Sequence, residues 1–228
     1  MSHLLHFAEH TLQEVALLIM AIVYTTRLIW LMRFKAGKER QANTGKGDTS
    51  SRKGIIYSWA NIAMPWAMES SRKKFFLYSQ FVIFHLGVVA AIGLSFIIPY
   101  APQLLGSQVL VAVLQVIIGA ACLIGAYRII RRIASNYMRA ISSPDDYFSL
   151  VLLTVWFFFA FWSVPNNTSG GETILLIYFF MTAFFLIYVP FSKISHYLYY
   201  PFTRYYLGKT LGKRGVYPVR RYSEEARS

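Results

Sequence analysis

Cysteine is almost missing from this chain: one residue, Cys122, in 228. An intrachain disulfide, a cysteine-ligated zinc or iron–sulfur cluster and a CxxCH haem attachment each need at least two thiols, so all are excluded. Acids are scarce as well, 10 Asp and Glu against 23 Lys and Arg. Residues 1–14 contain no Lys or Arg, which leaves them without the charged start of a cleavable secretory signal. There is no Gly-rich phosphate loop, no Ser–His–Asp set and no HExxH, so nucleotide, serine-hydrolase and zincin chemistry have no foothold. Asp145 and Asp146 are paired carboxylates, but a helix start explains them without catalysis: Ser143 as N-cap, Pro144 next, acids in the first turn.

Apolar and aromatic residues are abundant instead. Hydrophobic residues make up 56% and aromatics 17%, yet the net charge is +13. A soluble domain of this size would have too little polar surface to cover itself. Apolar bulk and basic charge coexist only if they are segregated along the chain, as in a membrane protein. Crossing ~30 Å of hydrocarbon takes about 20 mainly apolar residues in a helix. Five stretches qualify, over residues 15–32, 75–98, 108–130, 148–164 and 173–191. None has the two-residue alternation of a barrel strand, and backbone groups in lipid must be satisfied within the segment. The expected fold is an all-α integral membrane bundle of five transmembrane helices over residues 1–210, followed by a basic tail over 211–228.

The cations orient the bundle. Ten lie between Arg33 and Lys74, four follow the third span (Arg128, Arg131, Arg132, Arg139), and eight lie from Lys193 onward. The alternate segments 1–14, 99–107 and 165–172 hold none. By the positive-inside rule the N-terminus is outside and the C-terminus cytoplasmic. The charge is thus a topology signal whose nearest partners are anionic membrane lipids, and no nucleic-acid partner is implied. Gly, Ser, Thr and Lys over residues 36–53 suggest a flexible cytoplasmic loop. The following IIYSWANIAMPWAM (55–68) is too short to span and reads as an interfacial segment or a docking surface.

Ionisable residues within spans are costly, and each asks for a function. His85 lies near the middle of the second span, in FVIFHLGVVAAIG, and reads as a ligand or pathway residue or as a hydrogen-bonded structural one. Gly87, Ala90, Ala91 and Gly93 beyond it would admit a planar macrocycle or a second helix. His196 sits at the cytoplasmic end of the fifth span, either as a ligand or within an aromatic interfacial belt, with Lys193, Arg204 and Lys209 placed as cations for haem propionates. Two histidines on separate transmembrane helices are what a bis-imidazole haem b requires. At ~1.5 Å per residue, His85 is ~21 Å and His196 ~35 Å from the outer ends of their helices, so pairing them needs tilt, a higher start or a kink at Pro190. His3, His6 and His10 share one helical face near Glu9 and Glu14. They read as a wet helix start, a metal site, or a quinone pocket taking up protons at the outer surface.

These motifs resemble the gamma (cytochrome b) subunit of respiratory nitrate reductase and its relatives in heterodisulfide-reductase-like and sulfate-reducer complexes. Phe84-His85-Leu86-Gly87 and Pro190-Phe191-Ser192-Lys193-Ile194-Ser195-His196 carry the likeness, the latter similar to the family's P-F-[TS]-[KR]-x-x-H. Ser142-Ser143-Pro144-Asp145-Asp146-Tyr147 is similar to the start of the fourth helix in the sulfate-reducer relatives. The resemblance implies a haem b held by His85 and His196 on the cytoplasmic side of a bacterial or archaeal cytoplasmic membrane. The family's second, outer haem takes histidines at positions that here are Ser95 and Tyr178, so a single haem is expected; His6 and His10 are the only other candidates for an outer haem. Such a chain is an electron-transfer subunit rather than a complete enzyme. It exchanges electrons with menaquinone or another quinone, or with a periplasmic multihaem cytochrome c. Its other partner is a cytoplasmic iron–sulfur subunit, similar to heterodisulfide reductase or to the nitrate reductase beta subunit. The competing reading is a non-redox scaffold or small transporter subunit; the lack of an inverted repeat counts against the transporter.

Overall fold

The computed structural model describes residues 2–34, 50–64 and 73–219. Among these residues all regular structure is helical. Five stretches are long and apolar enough to cross a membrane: His3–Arg33, Phe75–Tyr100, Gln108–Ala134, Pro144–Ser163 and Thr173–Phe191. The chain divides into two compact units, one built from the segments to Leu31 and Phe76–Ile194, the other from Met32–Phe75 and Ser195–Ser228.

The first unit contains α1 (His3–Glu9), α2 (Thr11–Arg33), α4 (Phe75–Tyr100), α5 (Gln108–Ala134), the short α6 (Asn136–Ala140), α7 (Pro144–Ser163) and α8 (Thr173–Tyr188). The first apolar stretch starts earlier than its hydropathy suggests, because Ser2 caps α1 by accepting from the Leu5 amide at 3.1 Å. Helix α7 begins as expected: the Asp146 carboxylate accepts from the Ser143 amide and hydroxyl, both at 2.8 Å. Trp156, Phe157, Tyr178 and Phe179 are fully buried between α7 and α8. A Cβ at Gly87 would collide with the Ala121 methyl, and one at Gly125 with the Thr154 hydroxyl. These two small residues are therefore what let α4 approach α5 and α5 approach α7. The outward side chains are as apolar as the core: Leu18, Ile22, Val89, Val109, Val116 and Leu123 are each more than half exposed. Lipid, not water, is the solvent such a surface suits.

Polar contacts gather at the two ends of this unit. At one end the Tyr100 hydroxyl donates to Glu14 at 2.9 Å and the Ser2 amide to Glu172 at 2.7 Å. At the other, Tyr188 donates to Asp145 at 2.6 Å, Lys193 Nζ lies 3.1 Å from Asp146, and Arg27 stacks over Phe191. The basic residues of the unit lie at the second end and its histidine-rich start at the first.

The second unit pairs α3 (Ser51–Ala63) with α9 (His196–Lys213). Gly54 faces Gly208 and Gly212 so closely that a Cβ on any of them would meet backbone, for example Gly54 O 2.7 Å from a Cβ on Gly208. Arg204 is buried in this seam, its Nε and Nη2 donating to the Ser58 carbonyl at 3.0 and 2.8 Å. Trp59 Nε1 reaches the Pro201 carbonyl at 3.2 Å. Much of the segment expected to be interfacial or a docking surface is thus a helix with a partner in its own chain. Residues 65–68 of it, and 36–49 of the expected loop, lie outside the described residues. Arg204→Ala strips a charged donor from a buried carbonyl, worth about 2 kcal/mol. A lowered midpoint in thermal unfolding of the purified protein, with the first unit's helicity retained, is the expected result.

Candidate functional site

His85 sits on α4, half-buried, its ring packed on Phe81 with centroids 4.0 Å apart. Its Nδ1 is 2.7 Å from the Phe81 carbonyl oxygen. A carbonyl only accepts, so Nδ1 carries a proton, which in a neutral imidazole makes Nε2 the basic nitrogen. An imidazole whose one nitrogen donates to a backbone carbonyl while the other is left basic is the state in which histidine binds metal. Phe81, Leu86, Val89 and Ile92 around it on α4 are apolar and exposed, a strip suited to a flat hydrophobic ligand. Gly87 is not part of that strip, since it is occupied by the contact with Ala121; Gly93 faces open space.

His196 departs from expectation. Pro190 has no amide proton to continue α8, and the chain passes through two 3-10 turns, Val189–Phe191 and Lys193–Ser195. His196 then opens α9 as its first residue, exposed, and belongs to the second unit, whereas His85 belongs to the first. Two of the three cations expected to receive propionates have protein partners. Lys193 Nζ donates to Ser143 Oγ at 2.7 Å and to both Asp146 oxygens at 3.1 Å. Arg204 is spent on Ser58, and Lys209 is exposed on α9.

A cation of the first unit that sequence reasoning passed over shares an aromatic neighbour with His85. The Arg128 guanidinium stacks over the Phe84 ring at 5.2 Å, and that ring is 6.5 Å from the His85 ring. The available signal was its place six residues inside the end of α5, where an arginine is expensive.

Around Ser95 and Tyr178 the first unit is filled with side chains. Tyr178 is completely buried, stacked on Trp156, and donates to the Ala91 carbonyl at 2.7 Å. Ser95 donates to Ile92 of its own helix at 2.7 Å. Tyr178→Phe should cost about 1 kcal/mol through that one bond, seen as a small fall in thermal midpoint with no change in any haem signal. His6 and His10 have ring centroids 4.7 Å apart on one short helix, and His10 meets the edge of Tyr100. Rings that close leave no room for a macrocycle between them. Among the described residues, no group of three or more His, Cys, Asp or Glu could hold a metal ion.

At the same end, Glu172 accepts from the Ser2 amide and hydroxyl, and these bonds hold its carboxyl below the ordinary glutamate value. A lowered carboxyl contributes stability above its unfolded value and loses it as pH falls through the folded one. Protection of α1 amides against hydrogen exchange is therefore expected to drop below about pH 4, and Glu172→Gln should flatten that dependence.

Comparison with known families, curated proteins and solved structures finds no match to this chain.

Proposed function

We propose that this chain is the haem b membrane subunit of an electron-transfer complex, with its N-terminus outside, its C-terminus cytoplasmic and a single haem held by His85 and His196. The observation that carries the reading is His85 itself, an imidazole on a membrane-length apolar helix whose Nδ1 makes the backbone-carbonyl contact that metal-binding histidines make. A bis-imidazole haem b supplies one-electron transfer and leaves no open coordination position for substrate. The chain's own residues do the rest. His85 and His196 supply the imidazoles, Phe81 fixes the tautomer of His85, and Val89 and Ile92 keep water from that face. Tyr178 and Trp156 occupy the outer level, which is why one haem is proposed and not two.

The basic residues orient the chain, and the cytoplasmic segments that carry them are what an iron–sulfur subunit would dock on. That partner is required because Cys122 alone cannot hold a cluster. Menaquinone or another membrane quinone is the proposed small-molecule partner. His10, Tyr100 and Glu14 form the titratable group at the outer end, where its protons would exchange. The test is a dithionite-reduced-minus-oxidised spectrum of protein purified from haem-replete cells. A sharp alpha band of low-spin haem b is expected, and a colourless preparation favours the scaffold reading.

A further inference from the structure

Arg128 is a cation inside a membrane-length helix whose neighbours offer it no acid. Arg128 lies six residues inside the end of α5 and is half-buried. Its guanidinium rests there on Phe84, a buried ring, with the carbon 5.2 Å from the centroid. The acids at this end of the unit are otherwise engaged: Asp145 with Tyr188, and Asp146 with Ser143, Lys193 and, at 3.9 Å, Arg132. Among the described residues no carboxylate pairs with Arg128. A cation–π contact stabilises a guanidinium by roughly 0.5–2 kcal/mol, well short of the cost of a charge held in an apolar medium. An anion within reach of Arg128 would make up part of that difference.

Phe84 is the neighbour that Arg128 shares with His85. Its ring centroid is 6.5 Å from the imidazole centroid and 5.2 Å from the guanidinium carbon. A ligand bound at His85 and carrying carboxylates on its periphery would bring them to this cation. We propose that Arg128 is the residue that pairs with a propionate of the haem held at His85, in place of Lys193 and Arg204, which are bonded to Asp146 and Ser58. This rests on the haem reading above. The planar, permanently charged fork suits a carboxylate, and a cation held near the iron favours the reduced state.

The experiment is a redox titration of the alpha band in wild type, Arg128→Gln and Arg128→Lys, with exposed Arg139→Gln as a control for bulk charge. Arg128→Gln should lower the reduction constant about tenfold, ~59 mV for a one-electron couple, while Arg128→Lys and Arg139→Gln stay near wild type. Unchanged potential in Arg128→Gln overturns the proposal. So does release of co-purifying phospholipid from that variant with the potential intact, which would assign Arg128 to a lipid phosphate. If Arg128→Gln loses the haem, retention in Arg128→Lys supports the pairing. Loss from both, with helix content preserved, overturns it in favour of packing on Phe84. A wild-type protein without an alpha band fails the haem reading itself; a wild-type band indifferent to Arg128 fails only this inference.

Discussion

Replacing His85 with alanine is expected to abolish the alpha band entirely, and His196→Ala is expected to do the same. A bis-imidazole haem needs both nitrogens, and loss of either removes the low-spin spectrum even where some haem is retained. The contrast is His10→Ala, which should leave band height and position unchanged, because His10 faces His6 and Tyr100 at the other end of the first unit. The readout is the reduced-minus-oxidised spectrum normalised to protein. Persistence of the band in His85→Ala, or its loss only in His10→Ala, would place the iron elsewhere. The tautomer argument adds a finer expectation. His85→Gln keeps a polar side chain of similar reach but offers no basic imidazole nitrogen, so it too should be colourless or high-spin.

Gly208→Leu should open the α3–α9 pair. The position allows no side chain: a Cβ would lie 2.7 Å from Gly54 O and from the Ile55 Cα, and 2.8 Å from the Ser58 Cβ. Two of those atoms are backbone and cannot rotate away, so the helices must separate. Overpacking of this kind costs about 1–3 kcal/mol and occasionally more, and separation would also release the Arg204 bonds to Ser58. Tryptic cleavage at Arg52 and Lys53 is expected to accelerate at least about tenfold, since cleavage follows the population of the opened state. Cleavage at wild-type rates would mean that the seam does not hold the pair together.

The five apolar stretches were legible in the sequence because lipid imposes a length and a polarity that hydropathy reads directly. The start of α7 was legible for a similar reason: Ser143, Pro144 and Asp146 each have a local, backbone-level role. Features that depend on what a residue meets in space were not. Gly54, Gly208 and Gly212 sit in polar or aromatic segments with no apolar stripe, so nothing in the period of the sequence announced a helix pair. His196 looked like the end of the fifth span because the run stays aromatic past Pro190, while the missing proline amide actually starts a new helix. Lys193 and Arg204 were placed near the histidine by spacing alone, and their partners, Asp146 and Ser58, are 47 and 146 residues away. Arg128 was hidden by the opposite problem. It counted as one of many inward cations, and only the stack on Phe84 distinguishes it from its neighbours.

The most direct measurement of the central claim is the haem-to-chain ratio of the purified protein, taken as the pyridine haemochrome against amino-acid analysis of the same sample. One haem b per chain is the predicted result, with Tyr178 filling the level where a second would sit. A ratio near zero in protein from haem-replete cells contradicts the account, and a ratio near two contradicts the single His85–His196 site.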